Sequence, residues 1–395
     1  MHILIAALHR PIKPTGVCRH AANLARCLAD LDAIDRVTLV TGNWQKDYFA
    51  TTFNLTSPKI EIIGVDIKNS SISRNTWFLF GLPKLANRLN PDLVHLSFPF
   101  PFVRQWFNSP VVATVHDLYP YECPENFGFP QVWFNRLFFG QCVRNARGIT
   151  CVSQVTQKTL KTYFEKVSSQ KKVSVVYNYV EFDSVKPKLS QRLLLDEDSD
   201  FLLSVAQHRK NKNLDLLIQA FKDLLDKNIL NTKSKLVIVG STGPETNKIL
   251  NLIETLSLHK RVIFLASIDD EELCWLYRRC RSFVIPSSTE GFCLPLVEAL
   301  SLNSQVVCSD IPIFREVGRA LNCHYFNLDA NPVENLAKAI QQAIAHDESD
   351  RSSLADFPFT KHSTAQEYLN FYRSLLGVEE QESQGLREQE LSYRL

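Results

Sequence analysis

Short apolar runs alternate with amphipathic stretches along nearly the whole chain. Residues 2–8, 37–40, 60–63, 93–96, 111–115, 148–152 and 173–176 read as strands in the first half. Residues 201–205, 235–239, 262–265, 282–285 and 305–308 read as strands in the second. The runs are continuously apolar, which suits strands covered on both faces in a parallel sheet. Between them lie helical patterns. One follows the breaker-rich loop 10–16, with Val17, Ala21, Leu24, Ala25 and Leu28 at a 3.6-residue period. Others cover 77–89, 131–145 and 154–164, and a helix after 201–205 carries Leu214, Leu217, Ile218, Phe221, Leu224 and Leu225. Residues 42–58 are polar and aromatic and read as an irregular loop.

Strand–helix alternation through both halves predicts an α/β fold with two Rossmann-like, doubly wound parallel-sheet domains facing across a cleft. Residues 1–182 form the first domain. Residues 183–200, rich in Lys, Asp, Ser and Glu, form a linker, and 201–358 form the second domain. A helix within 359–376 carries a capping box at 363–366 and one apolar stripe (Ala365, Tyr368, Leu369, Tyr372, Leu375, Leu376). Residues 377–395 form a polar tail expected to be disordered.

Composition narrows the class. At 395 residues the chain exceeds one ordinary domain, and 45% apolar with 22% charged residues describes a soluble globular protein. A net charge of +2 offers no nucleic-acid surface. The 10 cysteines include no Cys-x-x-Cys pair or short zinc-type cluster and read as buried thiols of a cytoplasmic protein. The N-terminal apolar run is too short to span a bilayer. The helix at 131–145, with Trp133, Phe134, Leu137 and Phe138 beside Arg136, reads either as a core-packed helix, the favoured reading, or as a membrane-facing surface.

The chemistry concentrates after the strand 282–285. Ser287, Ser288 and Thr289 form a polar turn, and Pro295 suits the first turn of a helix. N–H groups near Phe292, Cys293 and Leu294 are then free to meet a phosphate. Glu290 and Glu298 bracket this helix start. Carboxylates repel phosphate, so they suit hydroxyl groups beside it, and a nucleotide sugar carries both ribose and hexose hydroxyls. Arg209-Lys210-Asn211-Lys212 follows the strand 201–205, where cations would hold a diphosphate; the alternative is a solvated basic turn. His116-Asp117 ends the strand 111–115, and His116 is either a sugar contact or a loop histidine. Gly16 offers a first-domain phosphate approach or an ordinary turn. Two Asp-x-Asp pairs, Asp30/Asp32 and Asp198/Asp200, do not follow strands and are poor metal sites.

The Glu290-x7-Glu298 motif, filled by Gly291-Phe292-Cys293-Leu294-Pro295-Leu296-Val297, resembles the signature of retaining glycosyltransferases of family 4. Thr15-Gly16-Val17-x-Arg19, Thr114-Val115-His116-Asp117, Val152-Ser153, Val176-Tyr177-Asn178 and Arg209 with Lys212-Asn213 are similar to further family stretches in the same order. The 363–376 helix resembles one that returns to the first domain.

The resemblance implies roles. Glu298 binds the ribose, Glu290 stabilises positive charge beside the donor sugar, and His116 contacts that sugar. Gly291 to Leu294 offer backbone N–H groups. Arg209 and Lys212 (or Lys210) hold the diphosphate, and Gly16 approaches it. It implies a hexosyltransferase of mannose or glucose type that uses a GDP- or UDP-linked donor, retains configuration, needs no metal or other cofactor, and acts on a glycan or lipid-linked acceptor. The aromatic segments 98–107 and 127–139 are candidate acceptor or inner-membrane surfaces. Cys293 and Thr15 stand where the family favours glycine or a small residue. Two further readings remain: a nucleotide-sugar epimerase, hydrolase or phosphorylase on the same fold, and a catalytically inactive nucleotide-sugar binding protein.

Overall fold

A computed structural model describes residues 1–10, 15–182, 185–189, 195, 199–266, 268–319, 323–345 and 357–377. Two compact units form. The first comprises Met1–Tyr121, Gly128–Tyr179 and the segment beginning at Thr360; the second comprises Glu122–Phe127 and Val180–Phe359. The short Glu122–Phe127 piece of the second unit has no counterpart in the sequence reading, which cut the chain at 182.

The first unit holds a seven-stranded parallel sheet in the order β3-β2-β1-β4-β5-β6-β7. Its strands are β1 His2–Ala6, β2 Arg36–Gly42, β3 Ile60–Val65, β4 Leu93–Leu96, β5 Val111–Val115, β6 Gly148–Cys151 and β7 Lys172–Val175. The second unit holds a six-stranded parallel sheet in the order β10-β9-β8-β11-β12-β13. Its strands are β8 Phe201–Val205, β9 Lys235–Val239, β10 Val262–Leu265, β11 Ser282–Ile285, β12 Val306–Ser309 and β13 Cys323–Phe326. Each sheet reverses its strand order once, between β1 and β4 and between β8 and β11. In doubly wound folds, ligands collect at the carboxyl ends of such strands.

The helix Lys361–Leu376 packs on the first sheet and buries Tyr368, Leu369, Phe371 and Tyr372. A buried imidazole joins it to the strands. His95 lies 2.5 Å from the Tyr372 hydroxyl and 2.7 Å from Thr114 Oγ1, which is itself 2.8 Å from Thr150 Oγ1. The capping box expected at 363–366 is displaced: Thr360 is the N-cap, and its hydroxyl accepts from the Ser363 N–H at 3.2 Å. Gly377 ends the helix in the left-handed region at φ 73°, where no Cβ is strained. The rest of the expected tail, and most of the linker, lie outside the described residues.

Four further expectations are corrected. Residues 43–51 form a helix, Asn43–Thr51, which buries only Gln45 and Phe49; with so little apolar stripe, periodicity could not reveal it. The helix expected at 77–89 begins earlier, at Ser71, and passes through a π turn at Trp77–Gly81. The helix Gln131–Asn145 is core-packed only in its second half. Phe129, Trp133, Phe134 and Leu137 are 88%, 67%, 52% and 53% exposed. Phe100 and Phe102, expected on an acceptor surface, are instead buried with the core around β4 and β5.

Candidate active site

In the second unit the loops after the neighbouring strands β8 and β11 are tied together. Asn213, left-handed at φ 47°, donates its side-chain amide to Pro286 O at 2.8 Å. Asn211 donates to Thr289 O at 3.1 Å and accepts from the Ser288 N–H at 2.9 Å. A 3-10 turn, Lys210–Lys212, then sends the two lysines different ways. Lys210 is exposed, while Lys212 turns inward and its ammonium donates to Glu290 Oε1. Ser287 Oγ donates to the same oxygen at 2.8 Å. The Glu290 side chain is 7% exposed and that of Lys212 is 17% exposed, so this is a largely desolvated pair. Lys212, not Lys210, is therefore the lysine that faces the acidic loop. The Arg209 guanidinium, on a half-buried residue at the start of the turn, has no hydrogen bond or ion pair among the described residues.

Past Glu290 the chain enters the helix Leu294–Ser301 through Cys293, a non-glycine residue in the left-handed region at φ 70°. The first turn contains Pro295, which lacks an N–H, and the Cys293 and Leu294 N–H groups have no backbone acceptor among the described residues. Burial and the nearby Glu290 charge hold the Cys293 thiol far above its usual pKa, so it stays protonated. The Phe292 side chain packs edge-on against Phe359 at 5.5 Å and is 4% exposed, so it is turned into the protein and away from a ligand. Glu298 is buried one turn into the helix, and its Oε2 accepts from the Tyr277 hydroxyl at 2.9 Å.

In the first unit His116 follows β5. Its Nε2 lies 2.8 Å from Ser97 O, so that nitrogen carries the hydrogen and Nδ1 keeps its lone pair. Burial lowers its pKa to about 4, so the ring is neutral near pH 7. His20 stands edge-on to it, with ring centroids 4.5 Å apart. The His20 Nδ1 donates to Asn178 Oδ1 at 2.6 Å, and its buried Nε2 has no partner among the described residues. Asp117 Oδ1 accepts from the Tyr119 N–H at 3.1 Å and shapes the loop. Gly16 opens the helix Gly16–Ala29 and is exposed; residues 11–14 before it are outside the described residues.

The Lys212–Glu290 pair, Arg209, the helix start and Glu298 thus assemble at one end of one sheet; His116 belongs to the other unit. Sequence reading did not find Tyr277 or His20, and it named Ser287, Asn211 and Asn213 only within their turns, without their partners. The Tyr277–Glu298 contact spans 21 residues with no local pattern to mark it. Among the described residues, no group of three or more His, Cys, Asp or Glu side chains could hold a metal ion. Asp30 pairs with Lys361 at 2.6 Å, Asp200 lies 3.5 Å from the Arg281 guanidinium, and Asp198 is outside the described residues.

Two parallel-sheet α/β units with cations and carboxylates after β8 and β11 are the architecture of a B-type glycosyltransferase. Residues 14–184 match the model of glycosyltransferase family 4, and residues 185–355 match that of the group 1 glycosyl transferases. The chain belongs to this family of glycosyltransferases. It is 26% identical over 312 residues to the O-antigen chain mannosyltransferase RfbU of Salmonella typhimurium, a match covering 77% of this chain and 80% of that protein. Its fold is similar to sucrose-phosphate synthase from Thermosynechococcus elongatus (TM-score 0.67, 19% identity, 99% of this chain and 100% of that one). It is also similar to Anabaena HepE, solved in complex with UDP and glucose (TM-score 0.61, 18% identity, 98% and 100%). Among the described residues no helix is long and apolar enough to cross a membrane.

Proposed function

We propose that this chain transfers a hexose, with mannose as the first candidate, from a GDP- or UDP-linked donor to a glycan or lipid-linked acceptor, with retention and without a metal. One observation carries the reading: the desolvated Lys212–Glu290 pair, with the Arg209 guanidinium, unpaired among the described residues, at the start of the same turn. The two electrostatic demands of glycosyl transfer are positive charge at the anomeric carbon and negative charge on the departing diphosphate. Glu290 answers the first, and Arg209 with Lys212 answers the second. Backbone N–H groups of Cys293 and Leu294 add to the phosphate site. Glu298 takes the ribose, His116 takes a donor-sugar hydroxyl at its bare Nδ1, and Gly16 approaches the diphosphate. The nucleoside diphosphate leaves from the face on which the acceptor attacks. Its phosphate oxygen takes the acceptor hydroxyl proton as the new glycosidic bond forms and the old one breaks.

The mannose assignment draws on the name of RfbU, and the nucleotide-sugar donor draws on HepE with its UDP and glucose. Incubation with GDP-mannose, UDP-glucose and a panel of oligosaccharide acceptors in EDTA, with NMR of the product anomeric proton, tests the reading. An α-linked product from an α-linked donor supports it. A β-linked product rules out retention, and turnover that requires added metal rules out the metal-free chemistry.

The exposed Phe129, Trp133, Phe134 and Leu137, with Arg136 beside them, support a peripheral contact with the cytoplasmic face of the inner membrane, where a lipid-linked acceptor would be met. Vesicles of anionic lipid that fail to retain the protein in sedimentation would remove that contact.

A further inference from the structure

Arg10 and Arg74 bring two positive charges together in the first unit, and among the described residues neither pairs with an acid. Arg10 follows β1, and Phe100, which packs against Arg74, follows β4. These are the neighbouring strands at which the first sheet reverses its order, where such sheets hold ligands. Arg10 is pinned to the helix Ser71–Thr76. Its Nη1 donates to Ser71 Oγ at 2.9 Å, and its carbonyl accepts from the Asn69 side-chain amide at 2.9 Å. Arg74 stands on the same helix. Its Cζ lies over the Phe100 ring, 5.3 Å from the centroid, and Phe100 is itself stacked on Phe78 at 3.8 Å.

The Arg74 Nε is buried without a partner, and its guanidinium makes no hydrogen bond or ion pair among the described residues. Burial lowers its pKa to about 10, and the Arg10 charge adds to that shift. Arg74 is thus still charged at neutral pH, half-buried and uncompensated. A desolvated cation without a counter-charge costs stability, and a ligand that brings the anion removes that cost. We propose that Arg10 and Arg74 form a phosphate subsite of the first unit, which holds a phosphate carried by the acceptor. Two guanidinium groups match the charge of about −2 on a phosphate group, and each can fork onto its oxygens. The donor phosphates have their own cations in the second unit, Arg209 and Lys212, so this anion is a second one. Its assignment to the acceptor rests on the proposed transfer reaction. The phosphate belongs either to a phosphosugar or to the diphosphate of a lipid-linked acceptor.

Calorimetric titration of the full chain with inorganic pyrophosphate, mannose 6-phosphate and farnesyl diphosphate tests this, each with UDP or GDP at saturation. Arg74→Gln, Arg10→Gln and Arg209→Ala are run beside wild type. At least one probe should bind wild type. Arg74→Gln should weaken it about tenfold or more, Arg10→Gln about threefold or more, and Arg209→Ala by less than about twofold. The tighter of mannose 6-phosphate and farnesyl diphosphate tells a phosphosugar from a lipid-linked source. Arg74→Gln removes no ion pair among the described residues, so it should keep or raise the melting temperature. If it is not recovered folded, Arg10→Gln, at an exposed position, decides the site. In turnover the loss should fall on KM for a phosphate-bearing acceptor, with KM for the donor unchanged.

No binding by any probe, equal affinity in wild type and Arg74→Gln, or a lowered melting temperature with affinity unchanged overturns the subsite. Nucleotide that excludes the probes, or that itself binds more weakly to Arg74→Gln, makes the arginines donor ligands and also overturns it. Failure of both UDP and GDP to bind would count against the donor reading alone. The same probes on the nucleotide-free chain, compared with Arg74→Gln, then decide the subsite.

Discussion

Lys212 and Glu290 form an ion pair across two loops, 78 residues apart in sequence and both largely shielded from water. Removing either partner leaves a charge in a poorly hydrated place. Lys212→Ala should therefore cost about 1–3 kcal/mol of stability, read from urea unfolding. Arg209 has no such partner among the described residues, so Arg209→Ala should stay within about 0.5 kcal/mol of wild type. Both variants should lose about a hundredfold or more in turnover. An Arg209→Ala protein as destabilised as Lys212→Ala would mean that Arg209 is a structural cation.

Acid should loosen the first unit. His9 and His95 are buried, and burial holds the pKa of each at about 3. The unfolded chain takes up these protons near pH 6.5, while the folded one does not. Stability is therefore full above pH 6.5 and declines as pH falls from 6.5 toward 3. The decline is at most about 1.4 kcal/mol per pH unit for each imidazole. His95→Gln should be less stable at pH 7.5, through loss of the Tyr372 and Thr114 contacts, yet show a shallower acid decline. Identical slopes in denaturant titrations at pH 7.5, 5.5 and 4.5 would contradict this.

Cys293 sits in a backbone region that suits glycine. Cys293→Gly should hold or raise the melting temperature and keep activity. Cys293→Val, β-branched at φ 70°, should lower the melting temperature by several degrees. Equal behaviour of the two variants would show that the loop is free to change its conformation.

The aromatic residues of the first unit divide by burial. Phe102→Ala should cost about 3–5 kcal/mol, since the ring is fully buried. Trp133→Ser with Phe134→Ser should leave thermal stability unchanged and lower sedimentation with anionic vesicles. Retained vesicle binding in that double variant would move the membrane contact elsewhere.

How much of this was legible in the chain differs by element. The strands were, because buried parallel strands are continuous apolar runs with little else to imitate them. The acidic loop was legible too, since Glu290, Pro295 and Glu298 lie within one strand–loop–helix unit whose geometry is local. Which lysine turns inward was not: it depends on the 3-10 turn and on Asn213 in the left-handed region, which the composition of residues 209–213 does not reveal. The helix Asn43–Thr51 was hidden because it buries only two side chains. The exposed half of Gln131–Asn145 was the less favoured of two readings for the opposite reason: its apolar residues read as core until neighbours are known. Tyr277 was invisible because its partner comes from another helix.

The most direct measurement is nucleotide release by the purified protein from UDP-, GDP- and ADP-sugars, with and without EDTA, beside Glu290→Ala and Arg209→Ala. The proposed chemistry predicts slow release from one donor, unchanged by EDTA and lost in both variants. Release that EDTA abolishes, or that survives in Glu290→Ala, would contradict it.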